Sequence, residues 1–166
     1  MTTIMSASVA QREPSLLDRG IFSITFWIES RLEYVRLIRA ALSGVLSHLQ
    51  VEESDIHSLA LAVSEIVNNS FEHGYNGAED KSMEVRVRAS GEEIQIDLRD
   101  EAPQFPEDQR YRLLGKPLSF EETNEEWTMR GHGLQIVRQL VDSVELEYKE
   151  GQNCITLRKH VVLLED

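Results

Sequence analysis

The chain has 166 residues, of which 41% are hydrophobic and 28% charged, a length and balance that suit one globular domain with a real core. Its formal charge of −12 repels phosphate backbones and argues against direct nucleic-acid binding. The single cysteine, Cys154, excludes an internal disulfide and fits a cytoplasmic setting, and no apolar run is long enough to span a bilayer.

Met1 to Gly20 is polar, aperiodic and interrupted by Pro14, with no basic start followed by an apolar core. We expect a flexible N-terminal extension without a signal peptide, followed by one domain over residues 21–166. Ile21 to Ile28 (IFSITFWI) is rich in β-branched and aromatic residues and predicts a strand. From Glu29 to Leu49, apolar residues recur with a helical period at Leu32, Val35, Ile38, Leu42, Val45, Leu46 and Leu49. Arg31, Arg36 and Arg39 lie on or beside its polar side, a basic patch on an acidic chain. Ser54 or Asp55 is a candidate cap for the next helix.

That next helix organises the chain. Over Ser58 to Asn76 (SLALAVSEIVNNSFEHGYN), Leu59, Ala60, Val63, Val67 and Phe71 share an apolar face. Glu65, Asn69 and His73, spaced i, i+4, i+8, stack on the opposite face with no Lys or Arg among them. A solvated face would carry long charged side chains, whereas a carboxylate, an amide and an imidazole suit a face turned toward a cavity. Gly74 and Asn76-Gly77 mark the helix end.

Ser82 to Ala89 and Glu93 to Arg99 alternate apolar and polar residues around Ser90-Gly91, which predicts a hairpin with one buried face. Glu101 to Thr128 contains Pro103, Pro106 and Pro117 and reads as one long loop, a length that is usually functional or mobile. MRGHG (129–133) leads into a short amphipathic helix from Leu134 to Asp142. A second hairpin runs from Val144 to Lys159, and the tail HVVLLED is placed to extend its edge. Strands paired in hairpins with three helices predict an α+β two-layer sandwich of a mixed, mostly antiparallel sheet.

Three polar clusters fall at element ends. The Asn69 amide oxygen suits a hard cation such as Mg²⁺, and the Glu65 carboxylate one turn earlier could take a proton from an attacking hydroxyl. Asp100, at the end of a buried strand, could receive a hydrogen bond from an exocyclic amine or simply form a turn. Gly131-His132-Gly133 opens a helix, where free N–H groups and close backbone approach favour phosphate. His132 has no Cys or His partner at metal-ligand spacing.

In this order the clusters resemble the GHKL ATPase superfamily. Glu65-x-x-x-Asn69 is similar to its N box, Asp100 to its adenine-binding Asp, and Gly131 and Gly133 to its last glycine box. LAVSEIVNNSFEHGY, DEAPQF and RGHGLQIVRQLVDSVE are similar to segments of bacterial anti-sigma-factor serine kinases. The resemblance implies a Bergerat-type ATP site with Glu65 as catalytic base and Asn69 as the Mg²⁺ ligand. Asn69, His73, Asp100, Ala102, Arg130, Gly131, His132, Gly133 and Leu134 would form the nucleotide-binding set, beneath a lid over residues 101–128. Ala102 stands where the family often has glycine. Of the lid cations Arg110, Arg112, Lys116 and Arg130, the one beside the glycines, Arg130, is preferred for the γ-phosphate.

The resemblance also implies a homodimer that phosphorylates a serine of a STAS-domain antagonist (an anti-anti-sigma-type protein), has a sigma factor as its other client and works by partner switching. The alternative is a nucleotide-binding regulator that acts by contact alone.

Overall fold

The computed structural model describes residues 22–115 and 133–164. In chain order these form β1 (Phe22–Glu29), α1 (Leu32–His48), α2 (Glu53–Asn69), a π turn (Ser70–Gly74), β2 (Ser82–Ser90), β3 (Glu93–Asp100), α3 (Glu107–Leu114), α4 (Gly133–Leu140), β4 (Ser143–Lys149) and β5 (Gln152–His160). The strands make one five-stranded sheet in the order β1-β2-β3-β5-β4. The α+β sandwich read from the sequence is the observed architecture. Every pairing among the described strands is antiparallel, and the described residues form four α-helices, not three.

The alternation in the strands decides the layers. Met83, Val85, Val87 and Ala89 of β2, Ile94, Ile96 and Leu98 of β3, and Ile155 and Leu157 of β5 are all buried. They form one core with Ile38, Leu42 and Leu46 of α1, Leu59, Val63 and Val67 of α2, and Val137 of α4. Most polar residues of the strands face the other way, and Arg88, Gln95 and Thr156 converge there on the Asp97 carboxylate.

Several local expectations change. The long span after Asp100 is not one irregular loop, because Glu107–Leu114 is a helix. Pro106 occupies its N-cap position, Glu107 and Asp108 fill its first turn, and Leu113 is fully buried. Residues 116–128 lie outside the described part. Neither Ser54 nor Asp55 caps α2, whose N-cap residue is Glu52. Asp55 instead accepts from the Val162 N–H at 2.8 Å and pairs with Lys159 at 3.4 Å. The tail therefore does not extend β5 as a free edge. Leu163 forms an antiparallel bridge with Val51, between α1 and α2.

The central helix does not run unbroken to Asn76. After Asn69 it widens into the π turn, closed by the Tyr75 N–H donating to the Ser70 carbonyl at 2.8 Å. Single π turns inside helices concentrate at functional sites, and this one directly follows Asn69. Asn76 and Gly77 then adopt positive φ, 51° and 75°, and end the element where the Asn-Gly pair predicts.

Candidate active site

Glu65 and Asn69 project from the last turns of α2 into a cavity of about 830 Å³. Asn68, Glu72 and His73 from the same segment, Asp108, Gln109 and Arg112 from α3, and Gly133 and Leu134 from α4 also line it. The predicted face of Glu65, Asn69 and His73 is thus turned to one open space, together with two of the residues predicted from the glycine segment. The straight row holds only for Glu65 and Asn69, since the π turn rotates the residues after Asn69 and leaves His73 exposed. Arg130, Gly131 and His132 lie outside the described residues.

Glu65 meets the start of α4 directly. A Cβ added at Gly133 would overlap the Glu65 carboxylate, so a larger residue there would push the acid aside. The contact joins two clusters 68 positions apart in sequence and places a carboxylate against the first described residue of α4. Burial holds the Glu65 pKa above its ordinary value, the nearby Glu72 charge raises it further, and Arg39 opposes both. A carboxyl raised in this way is a stronger proton acceptor than an exposed one. Asn69 donates through Nδ2 to the Gln109 Oε1 of α3 at 3.3 Å.

Asp100 is 2% exposed and ends β3 beneath the π turn. Ser70 Oγ donates to its Oδ2 at 2.7 Å. Its Oδ1 accepts from the Ala102 N–H at 3.0 Å and from Asn153 Nδ2 at 2.8 Å. A carboxylate offers about four lone-pair positions, so these three donors leave one, on Oδ2. Asp100 does not line the large cavity. Ser70, Gly74 and Ala102 line a neighbouring space of about 80 Å³ together with Asn69 and His73. That is well below the ~300–1,000 Å³ of a formed small-molecule pocket. The Ala102 methyl packs so closely on Gly74 that a Cβ there would come within 2.7 Å of it. Ala102 thus fills room that a glycine would leave open.

Sequence reasoning missed four residues of this site. Ser70 and Asn153 hold Asp100, and Asn153 Oδ1 also accepts from the Phe105 N–H at 3.3 Å. Gln109 reaches Asn69. Tyr75 bridges β2 and β3, its hydroxyl donating to the Ser82 carbonyl and accepting from the Glu101 N–H, both at 2.9 Å. Burial is the main cause that pushes the Tyr75 hydroxyl up to about 12, so it stays a donor at neutral pH. Strand parity was the available signal for Asn153, which shares the inner face of β5 with Ile155 and Leu157.

Among the described residues no three His, Cys, Asp or Glu side chains gather into a metal-ligand set. The donors present fit Mg²⁺ in a narrower way, through the Asn69 amide oxygen beside a space that Glu65, Glu72 and Asp108 also line.

A two-layer sandwich that gathers a carboxylate, an amide and a glycine-led helix start around one cavity defines an ATPase-type nucleotide-binding domain. Residues 28–159 match the histidine kinase-like ATPase domain. The serine-protein kinase RsbW of Listeria innocua is 31% identical over 132 residues, which cover 80% of this chain and 83% of that protein. RsbW of Bacillus subtilis is 32% identical over 126 residues, 75% of this chain and 77% of its relative. Two crystal structures share the fold. The RsbU and RsbW domains of a Mycobacterium tuberculosis protein superpose with a TM-score of 0.60 at 20% identity, over 84% of this chain and 32% of that one. The SiaB–SiaC complex of Pseudomonas aeruginosa gives 0.58 at 15%, over 84% and 89%. The chain belongs to the histidine kinase-like ATPase family, within the protein serine kinases that its RsbW relatives represent. No helix among the described residues is long and apolar enough to cross a membrane.

Proposed function

We propose that the protein is an anti-sigma-type kinase that transfers the terminal phosphoryl group of ATP to a serine of a STAS-domain antagonist. The observation that carries this reading is the meeting of Glu65 with Gly133 one turn from Asn69, around an 830 Å³ space. A phosphate chain would lie along the α4 N-terminus, where N–H groups and the helix dipole favour anions. Asn69 Oδ1 would hold Mg²⁺, which when bound neutralises charge on the phosphates. Glu65 would accept the proton of the attacking serine hydroxyl, helped by its raised affinity for protons. Asp100 would take the exocyclic amine of adenine on the remaining position of Oδ2, with Ala102 and Gly74 setting the floor of the base pocket. His73 and Leu134 complete the walls.

Arg112 lines the cavity, 3.9 Å from Asp108, and would meet the terminal phosphate. Arg130, next to the glycines, would add a second. The basic patch on α1 is narrower than its sequence suggests, because Arg31 lies between Glu29, Glu33 and Glu79 at 4.0, 3.4 and 3.7 Å. Arg36 and Arg39 are exposed and would face an acidic partner. In this reading the protein works in the cytoplasm as a homodimer and switches between the antagonist and a sigma factor. Incubation with labelled ATP, Mg²⁺ and candidate STAS proteins tests it. Phosphoserine on the STAS protein is expected, and nucleotide binding with no transfer to any candidate would favour a regulator that acts by contact alone.

A further inference from the structure

We propose that Gln109 is a positioning residue for the metal ligand Asn69, an inference that rests on the assignment of Mg²⁺ to that amide. A side-chain amide has one donor end and one acceptor end. Asn69 Nδ2 is engaged at 3.3 Å by the Gln109 Oε1, which leaves Oδ1 as the end presented to the cavity. Without that bond the amide can rotate, and a donor nitrogen would face the cation for part of the time. Groups that hold a metal ligand from behind typically change metal affinity or activity 10–100-fold when removed.

Gln109 can serve this role because its own helix is held. Leu113 is fully buried one turn further along α3, and Phe105, buried just before it, donates its N–H to Asn153. Asn153 in turn holds Asp100, which accepts from Ser70, the residue after Asn69. The chain of bonds from Asn69 through α3 to Asp100 therefore closes on itself. It ties the amide that would hold the cation to the carboxylate that would read the base.

The test is calorimetric titration of the full chain with ATP, with and without Mg²⁺, taking the ratio of the two affinities as the readout. Gln109→Leu should lower that ratio about tenfold or more. Gln109→Ala, shorter and a good helix former, should do the same should the leucine variant melt early. Gln109→Glu keeps an acceptor oxygen and should hold the ratio at or above the wild-type value, a rescue that a merely structural role does not predict. Asn69→Ala separates the two levels of the inference. If it leaves the ratio unchanged, the metal assignment itself is wrong. If it collapses the ratio while both Gln109→Leu and Gln109→Ala keep it, the metal assignment stands and the positioning role is overturned.

Discussion

Replacing Asp100 by Asn changes one atom and should reverse what the base pocket reads. Oδ1 already accepts from two donors, the Ala102 N–H and Asn153 Nδ2, so the amide oxygen of the variant must take that side. Its nitrogen then occupies the Oδ2 position, opposite Ser70, whose hydroxyl can turn to accept. Two surviving bonds lose their charge assistance, about 1 kcal/mol each, or about 2 kcal/mol of stability. For a chain of this size that lowers the melting temperature by about 4–8 °C. The effect on ligand is sharper. The free position on Oδ2 becomes an N–H, and an adenine amine arriving there meets a donor. A lost bond with an unpaired donor costs about 1–3 kcal/mol, or roughly 5–150-fold in affinity. Inosine triphosphate carries a 6-oxo acceptor at the same place and should gain relative to ATP. Titration of both nucleotides with Mg²⁺ into both proteins measures the two ratios. An ATP affinity equal to the wild type, or equal losses for ATP and inosine triphosphate, would refute the assignment of Asp100 to the base.

Glu65→Gln should leave nucleotide binding largely intact and slow phosphoryl transfer by about 10²–10⁴. The same variant should be more stable than the wild type at neutral pH. The folded state holds the Glu65 pKa above its ordinary 4.5, so the wild type loses stability as pH rises above that value, and the gap should close below it. Leu113→Ala, at a fully buried site, removes contacts that normally contribute about 2–5 kcal/mol. It should speed amide exchange in Glu107–Leu114, and MgATP should restore part of the protection; exchange unchanged from the wild type would show that α3 is held by something else. Arg36→Glu should slow association with a STAS partner and flatten its salt dependence, with ATP affinity unchanged as the control.

A regular period is the signal that made parts of this molecule legible in its sequence. Glu65 and Asn69 lie four apart in an unbroken stretch of α2, and the hairpin strands alternate cleanly, so faces could be assigned by counting. The π turn leaves no such mark. Its additional residue per turn is absorbed by Ser70 and Phe71, both ordinary in an α-helix, and it displaces His73 from the predicted row. Helix α3 was hidden because Leu113 is the one buried residue among its eight, too few to show a period. Its start signal, Pro106 followed by Glu107 and Asp108, was present and was read only as a break. Asn153 follows Gly151-Gln152 in a turn-like stretch, although its parity with Ile155 and Leu157 assigns it to the buried face.

The two ends of the sandwich are held very differently, and the difference bears on how a nucleotide enters. At the end away from the site, Asp55 pairs with Lys159 at a largely buried position and accepts from the Val162 N–H. The Val51 to Leu163 bridge closes the same corner. At the site end, the segment that follows Asp100 rests on Phe105, Leu113 and the Asn153 side chain. On the proposed assignment of the base to Asp100, the 80 Å³ lined by Ser70 and Ala102 is well below a formed small-molecule pocket, so a purine would have to displace the Ala102 to Pro106 segment to enter.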